Sequence, residues 1–545
     1  MPTHERVRMQ SSMTMNNESS AISADQLRRQ IKQHIQAQHW GAAEAGFRAL
    51  VQIEPQEPHA RVDLANLILQ RGSLREYTQH LLDAMPVLGN EVPLLIEMVR
   101  RLYFGGEIVA ARACLDRLES LPAPSAALLA ELAQLRWMLG EIPAGMAWME
   151  RAIAEGADEP NQHYLYAMLS QYTGKLGQAE TVLQTCLRRW PRFGDAAVAL
   201  ANLRKQTAEA NHLAMLRNLN QRVALDTPSA ERRLARAGFE SALFKELDDL
   251  GQYEQAWQAL ARSNALMHSI SPYDRAGETA VTDALIQATL ALAQDQDPTT
   301  HHFEGPMPIF IVGLPRSGTT LLDRMLSCHS QVVSAGEIND FRRQLRWMTD
   351  VPPGGVPSML EVLRRSTKID FVQLGARYLA QTQWRAGDKR YFIDKLPINV
   401  RMVPFIRRAL PQAPILHLVR DAMDVCFSNF KAMLGMASAY SYDMQALAHY
   451  YGEYARLVRH WHACLPGAMF DVPYTALVHD TEATLRKVLA YCRLDWEQSC
   501  LRPERNSAPV ATPSSSQVRE SVHTRSVGEW RHYAAQLEPL HMLLA

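Results

Sequence analysis

Four glycines, Gly72, Gly106, Gly140 and Gly174, stand 34 residues apart. A period of this length restricts the first half of the chain to a stack of small repeated units. The intervals are rich in Ala, Leu, Gln, Glu and Arg, residues of high helix propensity. Gly-Glu-Ile occurs at both 106 and 140, and Ala111 and Ala179 each follow a periodic glycine by five positions. Counting back from Gly72 reaches Gln38, with Ala43 five further on and Pro55 closing the unit; Pro191 closes a later one, and Gly251 to Ala256 repeats the spacing. Each unit reads as a helical hairpin. Glycine ends the first helix where a left-handed residue is needed, the small residue admits the neighbouring helix, and proline stops the pair. One hairpin cannot bury its own apolar face, so the units must stack.

This pattern resembles the tetratricopeptide repeat (TPR) over residues 24–195 and more loosely over 230–285, although Tyr77 and Gly145 stand where the repeat usually has Ala. The expected division is a disordered polar tail at 1–22, a TPR-like helical domain at 23–285, a linker at 286–307 and a catalytic domain at 308–545. Such a solenoid offers a surface to peptides or packs as a scaffold against the rest of the chain.

After the linker, DQDPTTHHFEGPMP, the period changes. PIFIVG, RYFIDK, PILHLVR and AMFDVPY are short apolar runs separated by helical stretches, which predicts a parallel sheet with helices on both faces. The fold class expected is therefore α plus α/β, an α-solenoid followed by a P-loop-type α/β domain.

The most specific motif is IFIVGLPRSGTTLLDRML at 309–326. A buried strand runs into Gly313-Leu314-Pro315-Arg316-Ser317-Gly318-Thr319-Thr320 and then a helix, the G-x-x-x-x-G spacing of a phosphate-binding loop. A nucleotide triphosphatase would place Lys after Gly318; here Thr319 stands there, followed by Thr320, and the charge comes from Arg316 inside the loop. That suits one terminal phosphate rather than a triphosphate with magnesium.

LPRSGTTLL resembles the 5′-phosphosulfate loop of sulfotransferases that use PAPS (3′-phosphoadenosine 5′-phosphosulfate), in particular tyrosylprotein sulfotransferases and their TPR-bearing bacterial relatives. The resemblance implies PAPS as co-substrate, with Arg316, Ser317, Gly318, Thr319 and Thr320 around the 5′-phosphate; no metal is expected, because the histidines lack partners at metal spacing. ILHLVRDAMDVCFSNF places Ser428 eight residues after Arg420, like the family's 3′-phosphate pair. The further Arg expected four residues after the Ser is Ala432 here, with Lys431 adjacent. SAGEIND resembles the segment whose Glu is the family's general base, which maps to Glu337, and DKLP maps Lys395 beside the bridging oxygen. The catalytic set implied is Glu337, Lys395 and Arg316. The closing segment SSSQVRESVHTRSVGEW puts Ser514 near the nucleotide and offers Arg519 or Arg525 to the 3′-phosphate; Glu529 replaces the Lys before Trp530. The acceptor implied is a hydroxyl, with protein tyrosine leading, and a peptide engaged by the solenoid is the implied partner. The family's peptide-holding Arg has no counterpart beside Glu337.

Charge narrows the field. Lys plus Arg and Asp plus Glu are both 57, which argues against a dedicated nucleic-acid binder, while residues 301–545 carry about six more basic than acidic side chains. Seven scattered cysteines, an odd number without a C-x-x-C pair, argue against a disulfide framework or a zinc site and fit a reducing compartment. His417 is expected as a packed core residue, and His301, His302, His460 and His462 lack partners at metal spacing. No apolar run spans a membrane and the first residues lack a secretory signal, so a cytoplasmic location is expected. Two rival readings are an ATP-dependent kinase or NTPase, which needs the missing loop Lys, and a non-catalytic TPR scaffold with a degenerate nucleotide domain.

Overall fold

The computed structural model describes residues 23–122, 124–224, 229–294, 302–512, 515 and 519–545. The expected tail, 1–22, lies outside them. Helical hairpins follow one another from Ala24–Gln36 and Trp40–Ile53 through Pro58–Arg71 and Leu74–Ala84, Val92–Gly105 and Ile108–Glu119, Ala126–Met138 and Ile142–Ala154, to Pro160–Tyr172 and Leu176–Arg189. The periodic glycines end first helices in the left-handed region, with φ from +81° to +100°. Gln38, at the same lattice position, adopts φ +57° without being glycine, so the hairpin geometry rather than the residue type sets the turn. The position five residues on is buried in every unit. Ala43, Ala111 and Ala179 are fully covered, Tyr77 is accommodated as a core ring, and a Cβ on Gly145 would stand 3.1 Å from the Ala133 carbonyl oxygen.

The C-terminal part holds a five-stranded parallel sheet of order β2-β3-β1-β4-β5. The strands are β1 (Met307–Gly313), β2 (Val332–Ser334), β3 (Tyr391–Lys395), β4 (Ile415–Val419) and β5 (Phe470–Pro473). Ile309, Phe310, Ile311 and Val312 are fully buried because helices cover both faces, which is why β1 reads as an unbroken apolar run. β1 lies centrally with β3 on one side and β4 on the other. The chain order thus reverses at β1, and the crevice beyond its carboxyl end is where open α/β sheets bind ligands.

The expected linker boundary at 286 is corrected. The helix Arg275–Gln294 runs across it, because Val281, Leu285, Ala288 and Leu292 keep a 3–4 spacing and bury one face in the core that includes Phe341 and Trp461. Residues 295–301 of that linker lie outside the described residues.

The repeat turns dock one after another on the C-terminal part. Asp350 accepts from the Arg75 amide at 2.8 Å, and Gln344 donates to the Gly106 carbonyl at 2.7 Å. Arg385 donates to the Leu139 carbonyl at 2.8 Å, and Arg519 to the Tyr172 carbonyl at 2.7 Å. Each bond satisfies a donor or acceptor that a helix end leaves open, so one edge of the solenoid is an internal interface. Among the described residues no helix is long and apolar enough to cross a membrane.

Candidate active site

The loop after β1 departs from regular backbone at three residues. Gly313 has φ +152°, Arg316 +68° and Gly318 +107°. Gly318 caps the helix Thr319–Leu326, and a Cβ there would stand 2.4 Å from the Tyr474 ring, so the close approach itself demands glycine. Ser317, Thr319 and Thr320 are buried, and the Ser317 hydroxyl has no hydrogen-bond partner among the described residues. A buried hydroxyl of this kind beside a helix N-terminus suits an anion.

Arg420, just past β4, donates to the Arg316 carbonyl at 2.9 Å and to the Ser526 carbonyl, with its guanidinium 4.7 Å from the centre of the Tyr474 ring. Burial, and then the neighbouring Arg420, push the Arg316 guanidinium below its ordinary value. Two arginines held this close in a half-buried crevice make a field that favours an anion. Ser428 is buried on the helix Ala422–Phe430, and its neighbour Asn429 donates to the Pro315 carbonyl at 2.8 Å, pinning the loop from below.

Lys395 ends β3 with its side chain fully buried, and its ammonium forms an ion pair with Glu337. The backbone explains the meeting. Gly336 takes φ +73° and its carbonyl accepts from the Lys395 amide at 3.0 Å, so β2 delivers Glu337 to the end of β3. The Asp323 carboxyl lies close to the same lysine. It accepts from the Ser334 hydroxyl at 3.0 Å, and burial pushes it up to about 6, with Lys395 opposing. Asp323 went unnoticed in the sequence because it reads as one polar position of an amphipathic helix; its place on the loop-proximal turn was the available signal.

The solenoid reaches this crevice. Burial, and then the charge of Glu337, raise the Tyr172 hydroxyl to about 12. The strap after residue 507 lies over the same repeat, with the Val510 amide donating to the Tyr172 carbonyl at 3.1 Å and the Gln171 amide to the Ser515 hydroxyl at 2.9 Å.

Not every expected residue converges. Arg519 is committed to the solenoid turn at Tyr172 and Gly174. Arg525 pairs with Glu520 on an exposed surface. In this structure each guanidinium has a partner supplied by its own strap or by the repeat beneath it. Ser514 lies outside the described residues. Lys431 caps the C-terminus of the helix Ala422–Phe430 and forms an ion pair with Glu529. Burial works against the Glu529 charge, but Lys431, Arg420 and Arg316 hold its carboxyl below the ordinary value. In this arrangement an acidic side chain sits against the cationic cluster.

Residues 308–498 match the model of the Sulfotransferase family. An uncharacterized protein of Aquifex aeolicus is 28% identical over 331 residues, 59% of this chain and 43% of the relative. A putative protein-tyrosine sulfotransferase of Caenorhabditis briggsae is 26% identical over 233 residues, 41% of this chain and 80% of the relative. The chain thus spans less than half the length of the Aquifex protein. Among solved structures, the sulfotransferase domain of the Synechococcus PCC 7002 olefin synthase aligns with TM-score 0.31 at 19% identity, covering 43% of this chain and 91% of that domain. Behind its TPR-like helical array, this chain carries at residues 308–498 a stretch that is similar to the sulfotransferase family.

Proposed function

We propose that this protein transfers the sulfuryl group of PAPS to an acceptor hydroxyl, with protein tyrosine as the leading acceptor class. The observation that carries the reading is the convergence of three strand ends: the loop with its buried, unpartnered Ser317 hydroxyl, the Lys395–Glu337 pair, and Arg420. These groups fit an adenosine bisphosphate bearing a sulfuryl group. Arg316, Ser317 and the first-turn amides of Thr319 and Thr320, with Gly318 allowing close approach, hold a 5′-phosphate. Arg420 and Ser428 hold a 3′-phosphate, and Lys431 joins them if it exchanges Glu529 for the ligand.

Bound PAPS supplies an activated sulfuryl group on a phosphate leaving group. Glu337 takes the acceptor's hydroxyl proton at its carboxylate. Lys395 and Arg316 place positive charge where the departing phosphate gains negative charge, in a crevice that limits water. The Lys395–Glu337 pair holds both groups in the site until substrate divides them. Tyr172 places the solenoid at the acceptor side, so the acceptor enters between the repeats and Glu337. A peptide acceptor uses a face of the solenoid other than its docked turn edge. The protein-tyrosine sulfotransferase likeness of the Caenorhabditis relative supports the acceptor class, while Asn339 and Asp340, following Glu337 where the family has a cation, weigh against a strongly acidic peptide.

The test is calorimetric binding of adenosine 3′,5′-bisphosphate against ADP with magnesium, on the wild type and Arg316→Ala. Preference for the bisphosphate, lost in the variant, is the expected result. Preference for magnesium–ADP would replace this reading with a kinase or NTPase, and binding of neither would leave a scaffold.

A further inference from the structure

His417, His462 and Asp471 come together from three elements. His417 lies in β4, Asp471 is its register partner in β5, and His462 is in the last turn of the helix Met444–Cys464. One nitrogen from each histidine and one carboxylate oxygen of Asp471 lie within 4.8 Å of one another. His417 Nδ1 is 2.8 Å from one Asp471 oxygen, and His462 Nε2 is 3.2 Å from the other. A tetrahedral zinc ion about 2.0–2.1 Å from each donor sets its ligand atoms about 3.3 Å apart, and the two histidine–carboxylate separations already stand near that spacing. The far nitrogen of His417 meets the Tyr454 hydroxyl at 2.7 Å, the outer hydrogen bond that fixes a ligating imidazole. His417 is buried, whereas the side chains of His462 and Asp471 are 40% and 43% exposed, which leaves an approach from solvent.

We propose that these three side chains bind a divalent ion of the zinc class, with water completing its shell. Two nitrogens and one carboxylate suit zinc over magnesium or calcium, which take oxygen ligands. Binding requires each donor nitrogen to give up its proton, to the other ring nitrogen or to solvent. The ion clips β4, β5 and the helix Met444–Cys464 together. Each strand carries a residue of the donor crevice three positions on, Arg420 and Tyr474, so the ion braces that wall. His417 is buried, as the sequence led one to expect, whereas His462 meets a partner the sequence did not show, Asp471, which the pairing of β4 and β5 sets beside His417; the proposal departs from the expectation of no metal.

The experiment is equilibrium dialysis of the full chain against zinc chloride, with cobalt substitution followed by visible absorption. One ion per chain is expected, with a cobalt spectrum free of the thiolate charge-transfer band that the cysteines would give. His462→Ala and Asp471→Asn, both at partly exposed side chains, abolish stoichiometric binding while leaving the metal-free melting temperature unchanged. Tyr454→Phe weakens affinity by about 10–100-fold, and His460→Ala, on the same helix, leaves it intact. Absence of a stoichiometric ion, retention of the ion by both ligand variants, or a thiolate band would overturn the proposal.

Discussion

Gly318→Ala probes the loop where backbone and packing meet. At φ +107° an alanine carries a left-handed penalty of about 1–2 kcal/mol. Its Cβ would stand 2.4 and 2.8 Å from Cδ2 and Cε2 of Tyr474, where carbon atoms prefer about 3.5–4.0 Å. The ring cannot yield freely, because its hydroxyl is 2.7 Å from the Ser526 hydroxyl and the Arg420 guanidinium lies over its face. Overpacking of this kind costs about 1–3 kcal/mol. The sum is a destabilisation of about 2–5 kcal/mol, measured by urea unfolding. In a Tyr474→Ala background the clash disappears and only the backbone penalty of about 1–2 kcal/mol stays, so the cycle should show a coupling of about 1–3 kcal/mol. Because Arg420 shifts with the ring, adenosine 3′,5′-bisphosphate should bind the single variant about tenfold more weakly or worse, about 1.4 kcal/mol. A cost below about 1 kcal/mol, or the same cost in both backgrounds, would refute the packing argument.

Three further outcomes are expected. Glu337→Gln should lower the rate of sulfuryl transfer by about 10²–10⁴-fold with bisphosphate affinity retained; an unchanged rate in a single-turnover assay removes Glu337 as the base. The folded pKa of Asp323, about 6, exceeds its ordinary 3.8, so the native state holds the extra proton between these values. That contribution is fully present below about pH 4 and is lost as pH rises through about 6, about 3 kcal/mol over the window. Asp323→Asn should flatten that part of the stability–pH curve, and an unaltered curve would show that this carboxyl titrates normally. Glu107 is buried between Arg377 at 2.5 Å and the Gln381 amide at 3.0 Å. Glu107→Ala should therefore loosen the solenoid from the C-terminal part by about 3 kcal/mol, at the low end for a buried pair because Arg377 keeps its stacking on Trp347. Limited proteolysis that cuts wild type and variant between the two parts at the same rate would contradict this.

What was legible in the sequence was local. The 34-residue glycine period encodes hairpins because a left-handed helix end is a property of a few adjacent residues, and Gln38 was found by counting alone. The apolar runs announced β1, β3, β4 and β5; β1 is covered on both faces and apolar throughout, whereas β5 at the sheet edge was legible from its flanking apolar residues, and β2, three residues long, left only the pair Val332-Val333. The loop at 313–320 was readable because glycines and hydroxyls must be contiguous to wrap a phosphate. Tertiary structure decided everything that depends on distant segments sharing a place. The Lys395–Glu337 pair spans 58 residues and rests on β2 lying beside β3. The commitment of Arg519 to a repeat turn, the reach of Tyr172 to Glu337, and the meeting of His417, His462 and Asp471 follow from docking and strand order. Pattern along a chain records which neighbours a residue tolerates, whereas the partner of a charge is set by three-dimensional closure, and no short-range periodicity carries that information.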